Sequence, residues 1–183
     1  NPIIIKHQIS KIKSELLEVD RNTADGAIFE EYELILRKNN AFDFDDLIGK
    51  PVQLFSSEKD ILKKYQNKYR YILVDEYQDI NTAQYHLIIL LAQNHHNLSV
   101  VGDDAQSIYA FRGADFRNFL NFEKHWPKAK VILLEENYRS TPNILKAANE
   151  IIKNNKLQKQ KNLWTKNPQG EAIKLFAAED EEV

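Results

Sequence analysis

The sequence predicts an α/β fold: a parallel sheet flanked by helices, with a helical segment ahead of it. Three stretches carry that expectation. Tyr71–Val74, Leu98–Val101 and Lys130–Leu134 are short, mostly apolar runs that end abruptly in Asp75-Glu76, Gly102-Asp103-Asp104 and Glu135-Glu136-Asn137. A short apolar run bounded by polar residues reads as a strand covered on both faces, the habit of parallel sheets. Between the runs, apolar residues recur at helical spacing, so strand and helix alternate. Ligands of such sheets sit just past the carboxyl ends of the strands. The three polar ends are therefore the candidate site.

The elements follow in order. Ile5, Ile9, Ile12, Leu16 and Leu17 give an amphipathic helix within 3–19, and Ile28, Phe29, Tyr32, Ile35 and Leu36 give another within 27–38. Their stripes read as packing faces. In Phe42-Asp43-Phe44-Asp45-Asp46-Leu47 the three acids suggest either a metal site or a helix start capped by Asp43. The cap is preferred, because no histidine or further acid completes a ligand set. Gly49 and Pro51 predict a kink or an early stop near Lys50. Residues 58–68 make a short helix leading into the first strand.

Asn81 or Thr82 caps the next helix, which carries Tyr85, Leu87, Ile88, Leu90 and Leu91 and ends at Asn94-His95-His96-Asn97. Adjacent histidines point to different faces, so the pair reads as a solvated helix end rather than a metal site. A helix near 115–125 precedes Trp126-Pro127 and the third strand. Thr141 caps a helix to about Asn154 with Pro142 at its first position, where proline is welcome. A lysine-rich stretch (Lys153, Lys156, Lys159, Lys161) then reaches Trp164. Residues 172–177 predict a strand, and the acidic tail Glu179–Glu182 predicts a frayed end.

Composition narrows the function classes. The chain has 183 residues, a net charge of −2, no cysteine and no methionine. Disulfides, thiolate metal sites and cysteine nucleophiles are excluded, and the cysteine count fits a cytoplasmic setting. No apolar run approaches the roughly 20 residues that span a bilayer. A globally basic nucleic-acid face is excluded too, so any grip on nucleic acid is local. Asn97-Leu98-Ser99 matches a glycosylation sequon by chance.

At the strand ends the chemistry is specific. An Asp at such an end can hold Mg²⁺ directly or through water, and the adjacent Glu can accept a proton from an attacking water. Asp75 and Glu76 suit those tasks; alternatively they merely cap the strand and start a turn. The other two ends add a glutamine, Gln106, and an arginine, Arg139. Together the three look like a site for phosphate chemistry.

Asp75-Glu76-Tyr77-Gln78-Asp79, Gly102-Asp103-Asp104-Ala105-Gln106-Ser107-Ile108-Tyr109 with Phe111-Arg112-Gly113-Ala114, and Asn137-Tyr138-Arg139-Ser140-Thr141 resemble three successive motifs of the UvrD/Rep/PcrA-type superfamily 1 DNA helicases. The resemblance extends from Phe42–Leu47 to Lys161–Thr165 and covers nearly the whole chain. It implies a RecA-like motor that couples ATP hydrolysis to 3′–5′ movement on single-stranded DNA, with ATP and Mg²⁺ as cofactors. Carried over, Asp75 is the Mg²⁺-binding acid, with Glu76 beside it as the base that activates water. Gln106 senses the γ-phosphate, Tyr138 stacks on adenine, and Arg139 contacts the γ-phosphate. Tyr109 and Phe111 correspond to aromatics on which bases stack, and Arg112 adds a cation near the strand. Phe111 also has a plain reading as a core aromatic.

Two departures stand out. Ala105 occupies a place where the family often has an acid, and Phe111 one where tryptophan is frequent. No Gly-x-x-x-x-Gly-Lys-Ser/Thr loop occurs in the 183 residues. The expectation is an internal piece of a helicase, hydrolysing ATP negligibly by itself. It would comprise the end of an inserted helical subdomain (1–45), the second part of the first motor domain (46–139) and the start of the second (140–183). Its partners would be single-stranded DNA and the remaining helicase domains. The alternative of a different class is a helicase-like module that binds DNA or a partner without hydrolysis. An RNA helicase and a helicase–nuclease fusion are further alternatives within the enzyme class.

Overall fold

The computed structural model describes residues 1–109, 114, 116–156 and 158–177. Phe111, Arg112 and the acidic tail lie outside the described residues. The chain divides into two compact units, Asn1–His125 and Trp126–Val183.

The first unit begins with four helices: α1 (Pro2–Ser14), α2 (Ala24–Lys38), α3 (Asp46–Ser57) and α4 (Lys59–Lys68). Helix α1 stops short of the predicted span because Leu16 adopts a left-handed backbone, φ 54°. Leu17 N–H reaches Ile12 O at 2.9 Å and Leu16 N–H reaches Lys13 O at 3.3 Å, the paired bonds of a Schellman cap. A leucine holds the position usually given to glycine, so the stop carried no sequence signal. Asn40 closes α2 the same way at φ 48°, with the residue type expected there.

Helix α3 rules out the early stop offered near Lys50, since it continues past Gly49 and Pro51 to Ser57. Pro51 removes a single backbone donor. The buried face of Gly49, Val52 and Phe55 packs against neighbouring helices and outweighs that loss. Asp43 does cap, two residues ahead of the N-cap position Asp45: its Oδ1 accepts from Asp46 N–H at 2.8 Å.

Helices α1, α2 and α3 meet at a buried lysine. Lys13 Nζ lies 2.6 Å from Glu33 Oε1, 2.8 Å from Asp43 Oδ2 and 2.9 Å from Asp46 Oδ1. Lys50 Nζ supports Glu33 at 2.7 Å, and Tyr32 O–H donates to Asp43 at 2.9 Å. Burial pulls the lysine down, but the hydrogen bonds to Asp43, Glu33 and Asp46 outweigh it and hold it above its ordinary value. Burial pushes Glu33 and Asp43 up. Their hydrogen bonds, to Lys13 and Lys50 for Glu33 and to Lys13, the Asp46 amide and Tyr32 for Asp43, bring both below the usual carboxylate range.

Strands β1 (Ile72–Val74) and β2 (Leu98–Val100) form a two-stranded parallel sheet with Ile72 opposite Leu98 and Val74 opposite Val100. Helix α5 (Thr82–Ala92) makes the crossover. Asn81 caps it in a full capping box with Gln84, both bonds at 2.9 Å. At its far end His96 turns left-handed and His95 Nε2 sits 2.9 Å from Tyr69 O, so the histidine pair closes a helix. Helices α6 (Phe116–Leu120) and α7 (Phe122–His125) end the unit.

The core gathers Tyr77, Ile80 and Tyr85, with Val74, Val100, Ile88, Ile89, Phe119 and Phe122 packed around them. The Tyr77 and Phe122 rings meet edge-on at 5.5 Å. Among the described residues, this core covers one face of the sheet. Leu73 points to the other and is 80% exposed, against the expectation of a strand buried on both faces.

The second unit holds α8 (Pro142–Ile152), with Thr141 at its N-cap position as expected, although the threonine side chain makes no capping bond. The predicted third strand over Lys130–Leu134 does not form. A strand needs a partner ladder, and Val131, Ile132, Leu133 and Leu134 are all exposed. Among the described residues of this unit, pairing is confined to one parallel bridge, Glu136 with Trp164. The run 172–177 forms no strand either, and Ile173, Leu175 and Phe176 lie exposed.

Candidate functional site

The carboxyl ends of β1 and β2 close on each other. Val101 N–H donates to Val74 O at 2.8 Å, and Tyr77 N–H donates back to Val101 O at 2.9 Å. Between those bonds stand Asp75 and Glu76, both exposed. Glu76 has a left-handed backbone, φ 49° and ψ 42°. For a non-glycine residue that costs about 1–3 kcal/mol and persists only where the surroundings enforce it. Here the enforcement is visible: Glu76 N–H donates to Asp75 Oδ1 at 2.9 Å, and the 3₁₀ turn Tyr77–Asp79 follows with Tyr77 and Gln78 buried.

Gln78 joins the two strand ends. Its Nε2 donates to Glu76 Oε2 at 2.8 Å, and its Oε1 accepts from Asp103 N–H at 3.0 Å. Asp103 in turn organises the second 3₁₀ turn, Asp104–Gln106, accepting from Ala105 N–H at 2.9 Å and from Gln106 Nε2 at 2.8 Å. A continuous hydrogen-bonded chain thus runs from Glu76 through Gln78 and Asp103 to Gln106.

Gly102 makes room for it. A Cβ there would stand 2.7 Å from Gln78 Oε1, 2.8 Å from the Phe119 ring and 3.3 Å from Tyr77 N. Gly102→Ala is therefore expected to destabilise the first unit by about 1–3 kcal/mol through overpacking. Urea titration followed by circular dichroism checks it.

The donor set also bears on a metal. One Asp75 oxygen holds the Glu76 amide, which leaves the other for a cation. Magnesium is usually held by one or two carboxylates together with waters and phosphate oxygens, so this pair of acids fits. Among the described residues no group of three or more acids or histidines forms a dedicated cage. Tyr109 is partly exposed beyond the second turn, and its carbonyl accepts from Ala114 N–H at 3.3 Å.

In the second unit, Asn137 shapes the turn that presents Tyr138 and Arg139. Its Oδ1 accepts from Arg139 N–H at 3.0 Å and from Ser140 N–H at 2.7 Å. Asn167 braces the same turn, donating to Tyr138 O at 3.2 Å and Ser140 O at 3.0 Å. Asn137 N–H reaches Trp164 O at 2.7 Å, and Trp164 N–H reaches Glu135 O at 3.0 Å. Tyr138 is 79% exposed, and its hydroxyl donates to Glu136 at 3.1 Å. That bond, with the carboxylate's charge, pushes the phenol above its ordinary value. The Arg139 guanidinium is exposed and makes no ion pair among the described residues.

A family model described as the UvrD/REP helicase N-terminal domain matches residues 4–127. The chain belongs to the UvrD/REP helicase family. The UvrD-like helicase C-terminal domain matches residues 132–183 of this UvrD/REP chain. It is 48% identical, over 99% of its length, to a protein named ATP-dependent DNA helicase PcrA from Bacillus subtilis, of which it covers 26%. A Staphylococcus aureus protein of the same name is 49% identical over 93% of this chain and 24% of its own. One from Staphylococcus epidermidis is 54% identical over 82% of this chain and 21% of its own. The chain spans about a quarter of the length of the curated relatives it matches.

In this UvrD/REP chain the first unit brings together Asp75, Glu76 and Gln106, and the second presents Tyr138 and Arg139 on one turn. Gln78, Asp103, Asn137 and Asn167 had no role in the sequence reading. Gln78, Asp103 and Asn137 stood inside the quoted motifs, but which way a side chain leaves a 3₁₀ or Asx turn is not encoded in residue spacing. Asn167 acts across the unit from well downstream, and only an internally satisfied turn at 137–140 could have hinted at a brace.

Proposed function

We propose that the full-length protein is an ATP-driven DNA helicase that moves 3′–5′ on single-stranded DNA through a RecA-like motor. Residues 1–45 close an inserted helical subdomain, 46–139 form the second part of the first motor domain, and 140–183 open the second. Asp75, with Glu76 beside it, would hold Mg²⁺, which when bound offsets charge on the ATP phosphates. Glu76 accepts the proton of the attacking water. Gln106 meets the γ-phosphate and links it to the DNA side. Tyr138 stacks on adenine, and Arg139 places its cation on the γ-phosphate. Tyr109 and Phe111 stack on bases at about 1–3 kcal/mol each, nearly blind to sequence, with Arg112 near the strand. Such a grip is compatible with a net charge of −2.

The observation that carries this reading is the hydrogen-bonded chain from Glu76 to Gln106, which ties a proton acceptor to a phosphate-sensing candidate across two adjacent strand ends. The experiment is Glu76→Gln in the full-length protein. DNA-stimulated turnover is expected to fall about 100- to 10,000-fold, while binding of a fluorescent ATP analogue persists. Unchanged turnover would overturn the assignment. The 183-residue chain contains no phosphate-cradling glycine loop, so ATPase activity by it alone is expected to be negligible.

A further inference from the structure

We propose that Gln78 is a positioning residue that aims the Glu76 carboxylate and fixes its distance from the Gln106 turn. This rests on the reading of Glu76 as the proton acceptor. Gln78 is 1% exposed, and both ends of its amide are used. The donor end holds Glu76 Oε2 at 2.8 Å, and the acceptor end holds the Asp103 amide at 3.0 Å. Asp103 carries the linkage on to Gln106 at 2.8 Å. Glutamine is matched to that geometry. A glutamate would lack the donor, and a lysine would lack the acceptor.

Two further features point the same way. Glu76 is exposed and sits on a left-handed backbone, so nothing in its own packing sets the direction of its carboxylate. The Gln78 amide supplies that direction. The chain also keeps a glycine at 102, where any Cβ would come within 2.7 Å of Gln78 Oε1. The Gln78 amide is the nearest of the groups that such a Cβ would meet, ahead of the Phe119 ring at 2.8 Å. Buried amides left unpaired are costly, and of the two carboxylates that the Gln78 donor reaches, Glu76 at 2.8 Å is nearer than Asp79 at 3.4 Å.

The test uses the full-length protein. Gln78→Met keeps the volume and removes the bonds to Glu76 and Asp103, together with a longer one to Asp79 at 3.4 Å. It is expected to lower kcat about 10- to 100-fold, the usual cost of losing a supporting contact around a reactive group, with KM for ATP changed less than twofold. In a Glu76→Gln background the same substitution is expected to cause no further loss, because its effect passes through Glu76. Gln78→Asn, which keeps the chemistry and withdraws the amide by one methylene, provides the test if the methionine variant does not fold. Three results would overturn the proposal: wild-type kcat in the folded variant, an equal loss in the Glu76→Gln background, or kcat, KM and melting temperature falling together. Turnover retained by Glu76→Gln alone would instead remove the assignment of Glu76, and this role with it.

Discussion

Arg139→Ala in the full-length protein is expected to lower kcat for ATP hydrolysis by about 10³- to 10⁵-fold, the range for removing an arginine that neutralises charge on a transferring phosphoryl group. The expectation rests on the reading of Arg139 as the γ-phosphate arginine, and the geometry of its turn is compatible with it. Arg139 leaves a turn whose backbone is fixed twice, by Asn137 from within and by Asn167 from downstream. The guanidinium itself is exposed and makes no ion pair among the described residues. It is therefore free to meet an anion at no cost in broken contacts. Arg139→Lys is expected to recover only part of the rate, since a point charge does not reproduce bidentate geometry. Melting temperature should not move in either variant. Steady-state ATPase with saturating single-stranded DNA makes the measurement, and a loss below tenfold would exclude the role.

The second large effect is on stability. Lys13→Met is expected to destabilise the first unit by about 3 kcal/mol, the lower end of the range for breaking a buried pair, because it removes the buried cation shared by Glu33, Asp43 and Asp46 and leaves only the half-buried Lys50, 2.7 Å from Glu33 and 3.7 Å from Asp46. The pH dependence follows from the direction of each shift. Glu33 and Asp43 are held below their ordinary values of 4.5 and 3.8, so their contribution is complete above that range and is lost as pH falls through the lowered values. Lys13 is held above its ordinary 10.5, so its contribution is complete below that value and is lost only as pH rises past the raised one. Wild-type stability should thus be flat through neutral pH and fall in acid. The variant should be less stable at neutrality and lose less on acidification. Far-ultraviolet circular dichroism suits the measurement, since α1 to α4 belong to this unit.

Periodicity located the helices well because each long one presents a packing face. It misplaced their ends wherever a cap used an unexpected residue, as at Leu16. The early stop it offered near Lys50 did not occur, because tertiary packing carried α3 past Pro51. The first two strands were legible as apolar runs. The third was not a strand, because an apolar run states a preference for burial and leaves open whether a partner backbone lies alongside. At the site, residue type and order pointed to Asp75, Glu76 and Gln106. The groups that hold them in place did not declare themselves. Their importance arises from contacts that bridge two strand ends, which no single stretch of sequence contains.

The dependence of the Tyr138–Ser140 turn on Asn167 has a consequence for biosynthesis. As the polypeptide emerges from the ribosome in order, the turn is made well before the residue that steadies it. The carboxylate pair at the end of β1 likewise waits for Asp103. Each of these two turns therefore sets only when a later segment arrives, and a chain interrupted shortly before Asp103 or Asn167 would carry the corresponding turn without the contact that holds it.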